Sequence, residues 1–262
     1  MRSSVRLAAT LPIVLAACSH TPDNPLIWSD ELVRRLPLER GEVVEAARFS
    51  RVAPGAALAP WEPWFVRRGN TPTEYRLVEV DGATALEADA REGGSGLSRK
   101  IHVDPRRHPL LEWRWRIPRP DESASPPDVA SRDTPMARLS LAFNGDTDKL
   151  DFDDRAKLRL AMILTANGLP YASMLYVWML DVPVGTVLRS PYTDRVRMLV
   201  VESGLQHAGE WVSVRRNVIE DFRLVYGEYP EDIVAVGVMT DPGDDYSRRR
   251  TYYGDITFRS EK

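Results

Sequence analysis

Cysteine is almost absent from this 262-residue chain, which contains one, Cys18, together with four histidines. A single cysteine cannot close a disulfide within the chain, so a disulfide-stapled fold is excluded. Zinc sites draw on closely spaced cysteine and histidine ligands, and the lack of such spacing here argues against a zinc centre. The four histidines are His20, His102, His108 and His207.

An excess of positive charge is also absent. Lys and Arg total 35 and Asp and Glu total 38, which gives a net charge of −3 at pH 7. Nucleic-acid-binding domains need a basic footprint, and we therefore expect no nucleic-acid partner. The chain has neither a G-x-G-x-x-G loop nor a P-loop, and neither Ser95 nor Ser203 completes a G-x-S-x-G motif.

The chain lacks a hydrophobic run long enough to span a membrane. Its N-terminal apolar run, Leu7 to Ala17, has 11 residues, whereas a spanning helix needs about 20. Arg2 and Arg6 precede this run and Ala16-Ala17-Cys18 ends it, which is the pattern of a bacterial lipoprotein signal peptide. We expect cleavage before Cys18, lipidation of its thiol and stable attachment to a membrane through several acyl chains.

This signal sets the expected organisation of the chain. Residues 1–17 form the signal peptide, residues 18–28 a lipidated tether and residues 29–262 a single domain. Ser19 follows the lipidated cysteine, whereas an aspartate at that position would have indicated retention in the inner membrane. We therefore expect an exported lipoprotein in the outer membrane, facing the periplasm.

Alternation of apolar and polar residues with period two is the dominant local pattern. In Leu111–Ile117 the apolar residues share one face and the charged residues share the other, which is typical of a strand with one buried face. Turn formers such as Asp81-Gly82 separate such segments. The sequence predicts an all-β fold, a two-sheet antiparallel β-sandwich of the jelly-roll type. The other nine predicted strands are Glu74–Val80, Thr84–Ala90, Leu97–Val103, Arg138–Phe143, Leu175–Leu180, Val196–Val201, Trp211–Arg215, Ile233–Met239 and Tyr252–Phe258.

Helical spacing replaces this alternation in one long segment, Asp153–Asn167. Its apolar residues recur every three to four positions, and Gly168 and Pro170 are suited to end it. We predict one inserted amphipathic helix over about 153–167, packed on the sandwich. Shorter helical segments are predicted at Asn217–Tyr226 and at Ser29–Leu36.

A set of motifs extends over most of the chain. It includes Leu111–Trp115, Ala137–Asp146 and Pro170–Trp178, followed by Val200–Gly204, Gly237–Asp241 and Tyr252–Ile256. Together they resemble the bacterial family catalogued as domain of unknown function 3047, over roughly Phe49 to Phe258. The resemblance implies an exported β-sandwich domain. It implies no established activity and no catalytic residues.

Paired carboxylates on one predicted strand are the candidates for catalysis. Glu87 and Asp89, with Glu92, match the E-x-D-x-x-E spacing of laminarinase-like β-glucanases. In such enzymes, two carboxylates about 5–5.5 Å apart support a retaining mechanism. The alternative is that these side chains form the outward polar face of a strand.

Two acidic loops are candidates for binding Ca²⁺, which takes six to eight oxygen ligands. The first contains Asp146, Asp148 and Asp151, and the second contains Asp241 and Asp244. The alternative for the first loop is a solvated lead-in to the helix, whose N-terminal dipole favours acidic residues. No other cofactor is expected.

Aromatic and arginine side chains are the candidates for ligand binding. Trp61, Trp64 and Tyr171 flank prolines and are predicted to expose rings on which sugar faces could stack, whereas Trp113 and Trp115 are assigned to the core. Arg114 and Arg116 could hydrogen-bond an anionic or polyhydroxylated ligand if their sheet face is concave, or else form a salt-bridged outer face. The candidate ligand-binding residues are therefore Trp61, Trp64, Arg114, Arg116 and Tyr171.

Three functional hypotheses follow from these patterns. The first is a lipid-anchored binding module for a glycan or another envelope polymer. The second is a glycan-cleaving enzyme, a lyase or hydrolase, and the third is a structural envelope lipoprotein with a protein partner. Because one fold supports many functions, the sequence leaves the choice among them to the geometry of the site.

Overall fold

The computed structural model describes residues 35–65, 71–91, 93–119, 134–164, 170–191, 193–242 and 248–261. The signal peptide, the tether, Cys18 and Asp244 lie outside the described residues, as does most of the helical segment predicted at Ser29–Leu36. None of the helices in the described ranges is both long enough and apolar enough to span a bilayer.

Within these ranges the chain forms thirteen strands and two α-helices. The strands are β1 (Val43–Ala47), β2 (Glu62–Trp64), β3 (Glu74–Val80), β4 (Ala83–Ala90), β5 (Ser95–Val103), β6 (Leu110–Arg116), β7 (Ala137–Phe143), β8 (Ala172–Met179), β9 (Val187–Arg189), β10 (Val196–Ser203), β11 (Val212–Asn217), β12 (Ile233–Thr240) and β13 (Arg249–Arg259). The helices are α1 (Phe152–Leu164) and α2 (Val218–Tyr226).

The strands form two sheets. The six-stranded sheet has the order β11-β6-β13-β4-β3, and β1 also pairs with β13. The seven-stranded sheet has the order β2-β5-β12-β7-β8-β10-β9. The predicted two-sheet β-sandwich of the jelly-roll type is confirmed. One pair departs from the expected antiparallel arrangement: β8 and β10 run parallel, because β9 lies between them in sequence and pairs with β10 at the sheet edge.

The core lies between the two sheets. Alternation along β6 turns Trp113 and Trp115 inward, where they meet Tyr176 and Trp178 of the facing sheet. The ring centroids are 5.0 Å apart for Trp113 and Tyr176, and 6.1 Å apart for Trp115 and Trp178. Each buried ring removes about 150–250 Å² from water, so this cluster is a main source of the attraction between the sheets.

The strand and helix predictions are largely confirmed. All ten predicted strands are present, with ends that differ by a few residues. The structure adds the short strands β1, β2 and β9, which have three to five residues and too little sequence to show alternation.

The helices predicted over about 153–167 and at Asn217–Tyr226 are both present. Helix α1 starts at Phe152, and residues 165–167 of the prediction lie outside the described part. Helix α2 is capped by the side chain of Asn217, which accepts hydrogen bonds from Ile219 N and Glu220 N. It ends at Gly227, whose φ of 77° is left-handed.

Candidate functional site

The outer face of the seven-stranded sheet carries small side chains at its centre. The register aligns Ser98 of β5 with Gly237 of β12, and Gly237 with Ser140 of β7. Their chain neighbours Leu97, Val236, Val238, Leu139 and Leu141 belong to the core, so these residues face away from the core because side chains alternate along a strand. We call Gly96, Ser98, Ser140 and Gly237 the floor.

At the centre of the floor, Gly237 has no side chain. A Cβ atom at this position would lie 2.6 Å from Ser140 Oγ and 3.3 Å from the carbonyl oxygen of Leu97. Any side chain here would therefore push against both neighbouring strands. A glycine in the middle of a strand costs stability, and here it allows the hydroxyl group of Ser140 to lie close to the backbone of β12.

Trp64 lies beside the floor. It pairs with Gly96 across strands β2 and β5, and a Cβ atom at Gly96 would overlap its indole ring. The glycine thus allows the ring to lie against the sheet. Trp64 is half-buried, and its indole N–H makes no hydrogen bond to the described part of the chain. The exposed ring predicted at this position is therefore present in part, with a free donor.

Arg138 lies in the same row as Trp64, on the other side of Gly96 and Met239. Its neighbours in sequence, Ala137 and Leu139, point into the core, so its side chain is on the outer face. Arg138 is only 9% exposed, and its Nη1 atom is buried without a hydrogen-bond partner. Burial lowers the pKa of this guanidinium below its ordinary value, although an arginine stays charged at neutral pH.

Asp241 supplies a carboxylate near this arginine. It follows the last residue of β12 and is seated against Gly94, where a Cβ atom would lie 2.7 Å from the aspartate Cγ. The distance from Asp241 Oδ2 to Arg138 Nη1 is 4.0 Å, which is beyond hydrogen-bond range. The pair therefore places a carboxylate and a guanidinium close together as an ion pair without a hydrogen bond between Nη1 and Oδ2.

This arrangement has the elements of a carbohydrate site. An indole ring against a sheet can stack on the apolar face of a sugar. Arg138 can donate hydrogen bonds to hydroxyl oxygens and Asp241 can accept from hydroxyl hydrogens. Between Gly96 and Arg138 the same row holds the buried side chain of Met239. Mostly apolar concave sites with a few placed polar groups are typical of small-molecule binding.

A family model described as a protein of unknown function, DUF3047, matches residues 59–257, about three quarters of the chain. The chain belongs to the DUF3047 family. Comparison with curated proteins finds no match to it. The resemblance seen in the sequence is thus confirmed, and every residue of the site lies within or at the edge of the matched region.

Solved structures similar to the DUF3047 protein include carbohydrate-binding modules and a glycanase. The family 11 carbohydrate-binding module of Clostridium thermocellum Lic26A-Cel5E is 10% identical, covers 85% of this chain and 97% of its own, and has a TM-score of 0.41. The mannan-recognising module TmCBM27 is 12% identical (85% and 100%, TM-score 0.34). Trichoderma harzianum endoglucanase 3 of family GH12 is 7% identical (79% and 100%, TM-score 0.35). At these identities no residue role carries over to this chain.

Two of the predicted aromatic residues lie away from the floor in the DUF3047 protein. Trp61 packs on Phe49, with 5.4 Å between ring centroids, and joins the core instead of exposing its ring. Tyr171 precedes β8 at the opposite end of the sheet from Asp241. One of its faces is covered by Arg195, whose guanidinium carbon is 4.2 Å from the ring centroid, and its hydroxyl donates to Glu228 at 3.2 Å.

The ligands predicted for the first calcium loop are not assembled, and Asp244 of the second loop lies outside the described residues. Asp146 Oδ1 accepts a hydrogen bond from Asp148 N at 3.0 Å, and Asp151 Oδ1 accepts one from Asp154 N at 2.7 Å at the start of α1. Both side chains thus cap local backbone. Throughout the described ranges, no three acidic, histidine or cysteine side chains come together as metal ligands, and Asp241 stands beside Arg138.

Glu87 and Asp89 lie on the outer face of the six-stranded sheet, which we call the charged face. Arg248 holds Asp89 through two hydrogen bonds, of 2.8 and 2.6 Å. These bonds lower the pKa of Asp89 to about 2, against the opposing effect of burial. Glu87 is 3.2 Å from Arg76. A glycosidase needs one carboxylic acid that is still protonated near neutral pH, and Asp89 cannot fill that role.

Arg114 and Arg116 share the charged face with these carboxylates. Arg116 lies beside Tyr252, which in turn lies beside Glu87. The structure therefore brings the two catalytic candidates and the two arginine candidates onto one sheet face, and places Trp64 and Asp241 on the other. Arg138 was not singled out from the sequence. Its signal was a single charge among Ser140, Ala142 and the apolar residues of one strand.

Proposed function

We propose that this DUF3047 protein is an envelope lipoprotein that binds a glycan or a similar polyhydroxylated polymer on the floor of the seven-stranded sheet. The observation that carries the proposal is Arg138. A buried charged donor without a hydrogen-bond partner costs about 1–3 kcal/mol or more, and a ligand hydroxyl or carboxylate that bonds it would recover that energy.

The neighbours of Arg138 also support a glycan-binding site. Trp64 offers a half-buried ring whose N–H makes no hydrogen bond to a described residue, and Asp241 places a carboxylate 4.0 Å from the arginine. A sugar suits both features, since it presents an apolar face and alternating hydroxyl groups that both donate and accept.

The lipoprotein part of the proposal rests on the sequence signal at Cys18. Mass spectrometry of the protein from its native membrane is expected to show an N-terminal cysteine with a diacylglyceryl group, after loss of residues 1–17. An unmodified N-terminus would remove the anchor and the outer-membrane location from the proposal, and would leave the binding site unaffected.

The binding site is tested with the mature chain carrying Cys18→Ser. A glycan array selects a ligand, and calorimetry then compares variants. Trp64→Ala is expected to weaken binding about tenfold through lost stacking, and Arg138→Met about tenfold or more through a lost charged hydrogen bond. The matched controls Tyr229→Ala and Arg189→Met change exposed residues and should leave affinity unchanged.

Two results would contradict this proposal. One is a ligand whose affinity is insensitive to both Trp64→Ala and Arg138→Met, which would place its site elsewhere. The other is the absence of binding or thermal stabilisation by any glycan, which would favour a protein partner.

A further inference from the structure

Residues 36–42, which lead from the predicted tether to β1, contain no strand residue and are attached to the sandwich by separate hydrogen bonds. Glu39 N donates to the carbonyl oxygen of His102 at 2.8 Å, and Ser260 N donates to that of Glu42 at 3.2 Å. The rings of His102 and His108 hold two more carbonyl groups of this segment. Its attachment therefore depends in part on two side chains that can change their protonation.

His102 has an acceptor at each of its two ring nitrogens. Its Nδ1 lies 3.1 Å from the carbonyl oxygen of Leu36, and its Nε2 lies 2.7 Å from Asp232 Oδ2. A carbonyl oxygen and an ionised carboxylate accept hydrogen bonds and cannot donate them. Both contacts are hydrogen bonds only when both ring nitrogens carry a proton. The geometry therefore suits the imidazolium form of His102, whose side chain is 14% exposed.

His108 holds the same segment in a different way. Its Nε2 donates to the carbonyl oxygen of Gly41 at 2.6 Å, whereas its Nδ1 is buried without a hydrogen-bond partner among the described residues. This bond needs a proton on one nitrogen only, so a neutral ring makes it. Loss of a proton would therefore leave the bond of His108 intact and would remove one of the two bonds of His102.

Charged groups of both signs surround His102. Arg106 Nε lies 2.9 Å from Asp104 Oδ1, and Arg106 Nη2 lies 3.8 Å from Asp232 Oδ1. The carboxylate of Asp232 thus lies between His102 and Arg106. A neutral His102 ring would turn a lone pair toward one of its two oxygen neighbours, and that contact would become repulsive. The surrounding groups are Lys100, Asp104 and Arg106 on or after β5, Glu231 and Asp232 before β12, and Glu39 on the attached segment.

We propose that His102, Asp232 and Leu36 form a pH-sensitive clasp, which holds the N-terminal segment while His102 is protonated and releases it when His102 becomes neutral. Histidines ordinarily change charge between about pH 5 and pH 8. A neutral ring keeps one proton, and the bond to a carboxylate is stronger than the bond to a carbonyl group. The bond to Leu36 is therefore the one lost as the pH rises, and it is present again at lower pH.

Release of the clasp would lengthen the tether of the lipoprotein proposed above. Residues 36–40 would become free as far as Gly41, which His108 still holds, and five extended residues span about 17 Å. The clasp and the glycan site lie at opposite ends of β12, since Asp232 precedes this strand and Asp241 follows it. The reach of the glycan site from the membrane would thus increase with pH. This consequence rests on the proposed function, whereas the clasp itself does not.

The test is trypsin cleavage after Arg40, an exposed residue of the segment, in the mature chain carrying Cys18→Ser. A free peptide of residues 35–45 calibrates trypsin at each pH. The cleavage rate of the protein relative to the peptide is expected to rise at least about tenfold between about pH 5.5 and about pH 8, because a hydrogen bond from a charged donor is lost. His207→Gln, at an exposed histidine, is the matched control and should show the same rise.

His102→Gln cannot gain a charge, so it should be cleaved at the lower pH as fast as the unchanged chain is at the higher pH. A relative rate that is constant in the unchanged chain, or a rise that persists in His102→Gln, would overturn the proposal. Nitrogen-15 spectra of the unchanged chain give a second measurement: one proton on the His102 ring at both pH values would overturn it too. Glycan affinity of His102→Gln should equal that of the unchanged chain, so the clasp and the glycan site fail independently.

Discussion

On the charged face, carboxylates and arginines pair across neighbouring strands, whereas the centre of the opposite outer face carries glycine, serine and apolar side chains such as that of Met239. Asp89 has three arginines within 4 Å. Arg138, on the other face, has a single carboxylate at the limit of that distance. The side with few charges is therefore the one that leaves a buried charge without a hydrogen bond on Nη1.

This difference shows that pairing, rather than the number of charges, separates structural from functional side chains here. An arginine that meets a carboxylate in the folded chain has its hydrogen bonds satisfied and contributes to stability. An arginine that is buried or held in place without such a partner costs energy that a ligand can recover. Arg138 meets this second description, because its Nη1 atom is buried without a hydrogen bond and its carboxylate neighbour stays at 4.0 Å.

The largest expected effect comes from removing the most heavily paired carboxylate. Asp89→Ala leaves Arg248, Arg91 and Arg250 without their shared partner. Because these arginines remain partly exposed and can be solvated, we expect the free energy of unfolding to fall by about 2–3 kcal/mol. Urea denaturation measures this free energy. Asp148→Ala, at an exposed carboxylate, is the control and should cost under about 0.5 kcal/mol, and an equal effect of both changes would refute the structural role of Asp89.

The stability that Asp89 contributes is also expected to depend on pH. The pKa of Asp89 is lowered from 3.8 to about 2 in the folded chain, so the unfolded chain takes up this proton first as pH falls. The contribution is therefore complete above about pH 4 and is lost between about pH 4 and pH 2. It amounts to about 1–2 kcal/mol once screening by solvent is included. The stability gap between the unchanged chain and Asp89→Asn should close over that range, and a gap that stays constant would contradict the assignment.

The fold was predictable from the sequence because period-two alternation is a local property. In β6, Trp113 and Trp115 face the core and Glu112 and Arg114 face outward, as their order in the chain requires. The short strands were not predictable. Strand β2, for example, has three residues, one of them a proline, and exists because Trp64 and Glu62 find partners on β5.

The site was predictable only in pieces. Trp64 and Asp241 were recognised separately, one as an aromatic platform and the other as a metal ligand. Their proximity depends on the pairing of β2 with β5 and of β5 with β12, which joins segments far apart in the chain. Arg138 was missed because a charged residue in a strand normally indicates a solvated face, and its burial follows only from tertiary structure.

The smallest expected effect has the opposite sign. Arg138→Met replaces a buried charge by an apolar side chain of similar length, so it removes an unsatisfied donor and the cost of desolvation. The free energy of unfolding is then expected to stay the same or to rise by up to about 1 kcal/mol, although glycan affinity is lost. Arg189→Met gives the baseline for losing an exposed arginine. If Arg138→Met lowers the free energy of unfolding by more than about 1 kcal/mol, then Arg138 stabilises the folded chain through Asp241. Arg138 would in that case be a structural ion-pair partner, as the arginines around Asp89 are.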